Sequence, residues 1–376
     1  MSSRHKLGLP LLTLIGLFGT SCGLAKKPEP PDSTALLELA RHYGQGARSG
    51  QVYAAGKPAA RPKISPDKLG TEEEYRSPIK LSFSQRNYDQ LEKAARDARE
   101  TKDRTHGGVW KTLLFYEAVY QAFFPPATKP GESDWKIYLD ESKAWIAAKP
   151  ESAAARINLA QGYLGYAWVA RGSGYASTVT DTGWKLFGER AALSASILAE
   201  AANLKEKDPY WFETLQTVAL AQGWDKSQAR EVMELAVAFE PGYYHFYREH
   251  ANYLLPRWYG VEGEVEAYDE EVADRVGGPE GDVLYFEIAS LVACQCDAEK
   301  TALQNFSWAR IKSGYFSLGQ LYGISSRKRN RFASMAYKED DKPAGRLALE
   351  QIAEDWDEGV WVKREKFDAA KAWASQ

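Results

Sequence analysis

The chain has 376 residues, 44% of them hydrophobic, which is enough for a real core and excludes wholesale disorder. Lys and Arg number 48 against 51 Asp and Glu, so a net charge of −3 argues against a broadly basic nucleic-acid surface. Five His and three Cys leave little for metal clusters or a disulfide framework, whereas 12 Trp, 21 Tyr and 14 Phe make aromatic packing or aromatic recognition the question to follow. The length allows two or three domains, or one long helical array.

The first segment reads as an address. Arg4, His5 and Lys6 form a basic start, Leu7 to Phe18 is a mostly apolar run, and Gly19, Thr20 and Ser21 are small residues before Cys22. That is the layout of an export signal, and the run is too short for a stable membrane span, which needs about 20 apolar residues. The placement of Cys22 resembles a bacterial lipoprotein signal, in which the cysteine carries the lipid and cleavage falls just before it. Gly19 departs from that pattern, where an aliphatic residue is usual. The alternative is an ordinary secretory signal cut nearby, for example after Ala25. No Asp follows Cys22, which by the same resemblance favours the outer over the inner membrane. The expected location is therefore the cell envelope, outer membrane or periplasm, with membrane contact through the lipid alone. Removal of residues 1–21 takes away Arg4 and Lys6 and no acid, so the remainder is more acidic and has no net attraction to anionic lipid.

Residues 23–82 read as a Pro/Gly-rich tether. Pro28, Pro30, Pro31, Pro58, Pro62, Pro66 and Pro78 fall here, with Gly44, Gly46, Gly50 and Gly56, and one short helical pattern from Thr34 to His42 sits inside. Residues 83–376 are expected to be a helical-repeat domain. Apolar residues recur there at spacings of three and four. Tyr88, Leu91, Ala95 and Ala98 make one stripe. Trp110, Leu113, Leu114, Glu117 and Ala118 begin another, ended by Pro125–Pro126. Trp135, Tyr138, Leu139, Ser142 and Trp145–Ile146 mark a third. Pro150 opens a fourth, with Ala154, Ile157, Ala160–Gln161, Leu164 and Trp168. No alternating strand series stands out, so the predicted class is all-α.

The clearest unit is 208–241. Asp208–Pro209 is a helix start, Trp211, Leu215 and Val218–Ala219 a stripe, and Gly223 a stop. Asp225 with Gln228 forms a capping box for a second helix, whose stripe is Ala229, Met233 and Ala236–Val237 before Pro241. This helix–turn–helix resembles a tetratricopeptide repeat, best in its second half. Its first half departs from the usual residue order, and its spacing falls slightly short of the usual 34 residues or so. The expected architecture is a divergent array of stacked antiparallel helix pairs, an α-α superhelix.

Tyr166-Ala-Trp-Val-Ala-Arg-Gly-Ser-Gly-Tyr175, Leu255-Pro-Arg-Trp-Tyr-Gly260 and Trp356-Asp-Glu-Gly-Val-Trp361 together resemble an uncharacterised bacterial family, domain of unknown function 4034, over roughly residues 84 to 373. The resemblance implies a tetratricopeptide-like helical protein and brings no activity or catalytic residue with it.

Candidate chemistry is sparse. His245 and His250 are five apart, whereas two metal ligands on one helical face want four, so packing is the simpler role. Cys294 and Cys296 lie two apart, on nearly opposite sides of a helix, and read as structural thiols, with a redox pair as the alternative. Gly172-Ser-Gly174 lacks the Lys-Ser/Thr of a phosphate loop and reads as a helix connection, with Arg171 bonding helix-end carbonyls or a carboxylate. No cofactor is implied. Ser65-Pro-Asp-Lys68 and Ser133-Asp-Trp-Lys136 are too short to weigh. Glu117 with Asp134 or Asp140 is a conceivable acid pair. Arg327-Lys-Arg-Asn-Arg331 is a helix start or an anion-binding patch. Trp110, Trp135, Trp145, Trp168, Trp211 and Trp308 recur in stripes and are expected to fill space between helices.

Trp258 and Tyr259 differ, following Pro256 and Arg257 at a helix end, and Trp184 follows the Gly172 loop. The residues expected to line a partner site are Trp168, Arg171, Tyr175, Trp184, Arg257, Trp258 and Tyr259. The leading functional expectation is an exported, lipid-anchored scaffold that binds a protein or peptide. The alternative is a glycan-binding or glycan-cleaving α/α protein. An enzyme is the lesser expectation, and nothing in the sequence names a small-molecule ligand.

Overall fold

The computed structural model describes residues 33–45, 65–125, 128–172, 176–295 and 303–376. The export signal with Cys22, most of the stretch 23–64, Pro126, Ser173 to Tyr175 and Cys296 lie outside the described residues. Among the described residues the protein is all-helical, without a β-strand, and consecutive helices pack in pairs. None of these helices is long and apolar enough to cross a membrane. The described residues fall into two packed units, and the stretch 83–376, expected as one helical body, is divided between them.

The first unit holds ten helices. They are α1 (Thr34–Gln45), α2 (Glu72–Ser84), α3 (Tyr88–Thr101), α4 (Lys111–Phe123), α5 (Glu132–Ala148), α6 (Ala153–Arg171), α7 (Asp181–Ala202), α8 (Pro209–Gln222), α9 (Lys226–Phe239) and α10 (His245–Tyr253). Their starts follow from local chemistry. Asn87, Ser152, Thr180 and Asp208 each accept a backbone N–H of the following turn, and Asp225 and Gln228 complete a reciprocal capping box. Pro209 sits at the first position of α8, and Gly223 ends that helix at φ +73°. The α8–α9 pair is therefore the helix–turn–helix expected at 208–241.

Along the chain, α5 packs on α6, α6 on α7, α7 on α8 and α8 on α9, while α10 covers α8 and α9. Trp110, Trp135, Trp145, Trp211 and Trp224 are fully buried. Trp145 Nε1 donates to Glu92 at 2.8 Å and Trp211 Nε1 to the Leu198 carbonyl at 2.9 Å, so these two indoles fill volume and keep their polar handles bonded.

The stretch expected to be a tether contributes two helices to this unit. In α1, Leu37, Ala40 and Tyr43 recur every three residues and bury that face against α7 and α9. In α2, Ile79 and Phe83 are buried, α4 is the main neighbour, and Glu72, Glu73 and Glu74 favour the positive end of the helix. Burial of an apolar side chain is worth about 1.5–3 kcal/mol, which outweighs the disfavour of Pro78 within α2 when several such residues act together.

The second unit holds α11 (Glu264–Val276), α12 (Gly278–Gln295), α13 (Trp308–Tyr322), α14 (Ser326–Lys338), α15 (Lys342–Ile352), α16 (Glu358–Trp361) and α17 (Arg364–Ala374), together with the segments 65–71 and 104–109. Here α12 packs on α11 and α13, and α15 on α14 and α17. Trp361 is buried and donates to Asn330 at 2.8 Å, whose amide donates to the Asp355 carbonyl at 3.0 Å. The Trp356-to-Trp361 word is thus a packing device of this unit.

Candidate functional site

The last turn of α6, the first turns of α7 and the turn after α10 meet at one surface of the first unit. The turn is compact. Trp258 N–H donates to the Leu255 carbonyl at 2.8 Å, Tyr259 N–H to Tyr253 at 3.2 Å and Gly260 N–H to Leu255 at 3.3 Å. Tyr259 anchors it by donating its hydroxyl to the Leu220 carbonyl at the end of α8, 3.0 Å, and by stacking on Tyr253 with centroids 4.8 Å apart. Burial pushes the Tyr259 phenol up to about 12, with Arg171 pulling the other way.

Arg171 is the centre of the arrangement. Its guanidinium carbon lies 5.8 Å from the Trp168 ring, 5.8 Å from Trp184 and 5.6 Å from Trp258. Trp168 and Trp258 meet edge to face at 5.5 Å, and Phe187 closes against Trp168 at 4.9 Å and Trp184 at 5.9 Å. Arg257 places a second guanidinium 5.7 Å from Trp258 and donates to Asn252 at 3.4 Å. Each guanidinium–indole contact contributes about 0.5–1 kcal/mol when exposed and more when dehydrated. Burial lowers the Arg171 pKa from its ordinary value, because a partly dehydrated cation loses hydration that ring faces replace only in part. Arg171 also donates to the Gly172 carbonyl at 3.3 Å, the helix-end role expected of it. Trp168, Arg171, Trp184, Arg257, Trp258 and Tyr259 are all half-buried, so the cluster reaches solvent.

Of the residues expected to line a partner site, these six converge, and Tyr175 lies outside the described residues, as does the proposed lipid site Cys22. Trp168 differs from the space-filling role its stripe suggests, because it sits where α6 ends and meets Trp258 at the surface. Trp308 is likewise half-buried and donates to Asp341 at 2.9 Å.

The other candidates resolve into structure. Glu117 is buried and accepts from Arg76 at 2.6 Å, Asp134 accepts the Gly131 N–H at 2.8 Å, and Asp140 pairs with Lys143 at 3.0 Å. Lys136 of the second Ser-x-x-Lys word pairs with Glu132 at 3.0 Å. His245 and His250 are buried on α10, and His250 stacks on Tyr253. Among the described residues no group of three His, Cys, Asp or Glu is arranged to hold a metal ion. The basic cluster is absorbed by acceptors, since Arg327 pairs with Asp357 at 3.1 Å, Arg329 donates to Gln351 at 3.1 Å, and Lys328 is buried against Glu287.

Sequence reasoning missed a buried carboxyl cluster. Glu213 on α8 is fully buried, accepts the Tyr243 hydroxyl at 2.7 Å through one oxygen, and has no hydrogen-bond partner at the other among the described residues. Burial first, then the nearby Glu249, holds its pKa well above the carboxylate range. Burial raises Glu249 on α10 to about 7, opposed by Arg248. The one signal was that α8 is buried almost all round, which forces any carboxyl on it inside.

No protein-family model matches the chain, and no curated protein sequence matches it.

Proposed function

We propose that this chain is an exported, lipid-anchored helical-repeat scaffold that binds a protein or peptide partner in the cell envelope. The Trp168–Arg171–Trp184–Trp258 patch is its contact surface. The observation that carries this reading is the convergence of three indoles and two guanidiniums, half-exposed, from three separate stretches of sequence. Trp, Tyr and Arg are the residues in which binding energy concentrates at protein interfaces. The helices beneath hold the rings in place, so little side-chain freedom is lost on binding. Export and the envelope setting rest on the Arg4-to-Cys22 pattern alone. Peptide recognition is favoured over glycan cleavage because Glu117, Asp134 and Asp140 are each engaged in helix capping or ion pairs.

Affinity capture from envelope extract tests it. The intact chain should retain a discrete partner through washing, and Trp184→Ala and Arg171→Ala should lose it with helical circular dichroism unchanged. Recovery of the general export machinery alone would remove the proposal. Retention of wall or storage polysaccharide in place of a protein would replace it with the glycan-binding alternative.

A further inference from the structure

In the second unit α11 packs on α12, and its buried stripe is Val265, Tyr268, Asp269, Val272 and Ala273. Asp269 is the exception in that stripe. It is fully buried, and neither of its oxygens has a hydrogen-bond partner among the described residues. The charged and titratable groups around it do not complete it. Arg310 of α13 is the cation that acts on it, but that guanidinium meets Asp274 at 2.6 Å and Asp282 at 3.9 Å, and lies 4.8 Å from the Tyr285 ring centroid. Tyr285 of α12 accepts the Ser307 N–H at 2.8 Å. Glu266 and Glu270, on α11 itself, are acids that oppose a second negative charge. A buried carboxyl without partners is tolerated in its neutral form and costly as an anion. Burial, opposed by Arg310 and reinforced by Glu270 and Glu266, accordingly holds Asp269 well above the usual carboxylate range. The connection between the two helices is Gly277–Gly278, at φ +67° and +60°. Two glycines in that conformation leave no side chain to stiffen the turn, and such helix-terminal positions can absorb a rotation.

We infer that the α11–α12 joint is a proton-operated hinge, closed while Asp269 carries a proton and opening about Gly277–Gly278 as that carboxyl ionises. The device lies in the second unit and is independent of the partner patch in the first. The closed joint buries the neutral acid. The open joint gives it to water, where an aspartic acid releases its proton near pH 3.9. Closure is therefore fully supported below about pH 3.9, and the support is lost as pH rises toward the point at which Asp269 ionises in the closed joint. Between those limits each pH unit raises the opening constant by about tenfold, because one proton leaves at each opening. The apolar contacts of Val265, Tyr268 and Val272 resist opening at every pH and set its baseline. The Arg310–Asp274 pair spans the two helices α13 and α11, but Asp274 is largely exposed and the pair adds little. Helix α12 keeps α13 as its other partner, so α11 can lift while the rest of the unit stays packed.

The test is hydrogen–deuterium exchange of the full chain between pH 5 and pH 8, read by mass spectrometry on peptides from α11, α15 and α17 and corrected for the intrinsic rise of exchange with pH. Protection of α11 should fall by up to about tenfold per pH unit, while α15 and α17 of the same unit stay level. Asp269→Asn keeps the shape and cannot ionise, so its α11 protection should be level across the range. A merely structural role for Asp269 would lower protection by the same factor at every pH and leave the slope in place. Asp269→Leu, similar in size and without polar atoms, gives a second non-ionising variant. Should both variants fail to fold, the contrast between α11 and α15 in the unaltered chain carries the test alone. Level α11 protection in the unaltered chain overturns the inference. So does an equal slope in α11, α15 and α17, which would mean that the unit opens as a whole. A slope that survives in Asp269→Asn or Asp269→Leu overturns it as well, because another group would then be releasing the proton. None of these outcomes touches the partner-site proposal, which capture with Trp184→Ala decides separately.

Discussion

Tyr43 of α1 lies flat against Trp211 of α8, with ring centroids 4.2 Å apart and planes 13° from parallel. Its hydroxyl accepts the Asp208 N–H at 2.7 Å, and the Lys207 ammonium lies 4.6 Å from the Tyr43 ring centroid. One side chain thus fastens α1 to the start of α8. Tyr43→Phe leaves the buried Asp208 N–H without that acceptor and should cost about 1–3 kcal/mol. Tyr43→Ala also removes the ring and should cost about 3–5 kcal/mol. Urea unfolding of the full chain reads both as a lowered midpoint. An unchanged midpoint for Tyr43→Ala would mean that α1 adds nothing to the stability of the first unit.

How much of this was legible depends on how local each signal is. The α8–α9 pair was readable because Asp208, Pro209, Gly223, Asp225 and Gln228 act within one or two turns of themselves. The patch was readable for a similar reason, since Trp258 and Tyr259 stand out at a helix end after Pro256 and Arg257. Helix α1 was read only as a short pattern inside a tether, because its stripe of Leu37, Ala40 and Tyr43 is modest and its partners α7 and α9 are remote in sequence. The basic run at 327–331 was visible as a cluster, but Glu287 and Asp357, which absorb Lys328 and Arg327, come from other elements. For Glu213 the only signal was the apolar circumference of α8, and Glu249 gave none, because their protonation is set by burial and by neighbours from other elements.

That carboxyl pair makes stability depend on pH in a stated direction. Burial raises both groups in the folded unit, Glu249 to about 7, so the folded chain holds protons that the unfolded chain releases above about pH 4.3. Their contribution is therefore greatest in acid and falls as pH rises toward 7. For Glu249 the loss is on the order of 3 kcal/mol, at about 1.4 kcal/mol per pKa unit. Tyr243, Tyr210, Glu117 and Arg248 face the pair and set its midpoint. Glu249→Gln removes the proton step. Its stability relative to the unaltered chain should rise between pH 5 and pH 7 and then level off. A difference that stays flat across that window would show that Glu249 is ionised throughout.

Lys328 and Glu287 form an ion pair inside the second unit, with about 7% and 5% of each residue exposed. Breaking a buried pair from one side strands the other charge, so Glu287→Leu or Lys328→Met alone should cost about 3–5 kcal/mol. The double variant Lys328→Met/Glu287→Leu strands no charge and should recover most of that loss. A double-mutant cycle by chemical denaturation measures the coupling. Near-additive losses would show that the two side chains do not depend on each other.

Gly260 closes the turn that presents Trp258 and Tyr259. A Cβ there would lie 1.6 Å from the Leu254 carbonyl oxygen, a backbone atom that cannot swing aside as the end of a side chain can. Gly260→Ala must therefore open the turn, stretching the Gly260 N–H bond to Leu255 and displacing Trp258 from Arg171 and Trp168. The cost should be at least about 1–3 kcal/mol, as for other overpacked sites, and near-ultraviolet circular dichroism should register the moved indoles. Gly172 supplies the contrast at the other side of the patch, where φ is +71° but nothing among the described residues lies within 4 Å of an added Cβ. Gly172→Ala carries backbone strain of about 1–3 kcal/mol, because φ +71° with ψ −176° is a conformation almost confined to glycine, and should leave the indole signal in place. If the two variants change that signal equally, the close approach at Gly260 does not hold the patch together. If only Gly260→Ala changes it, the same variant should also lose the captured partner.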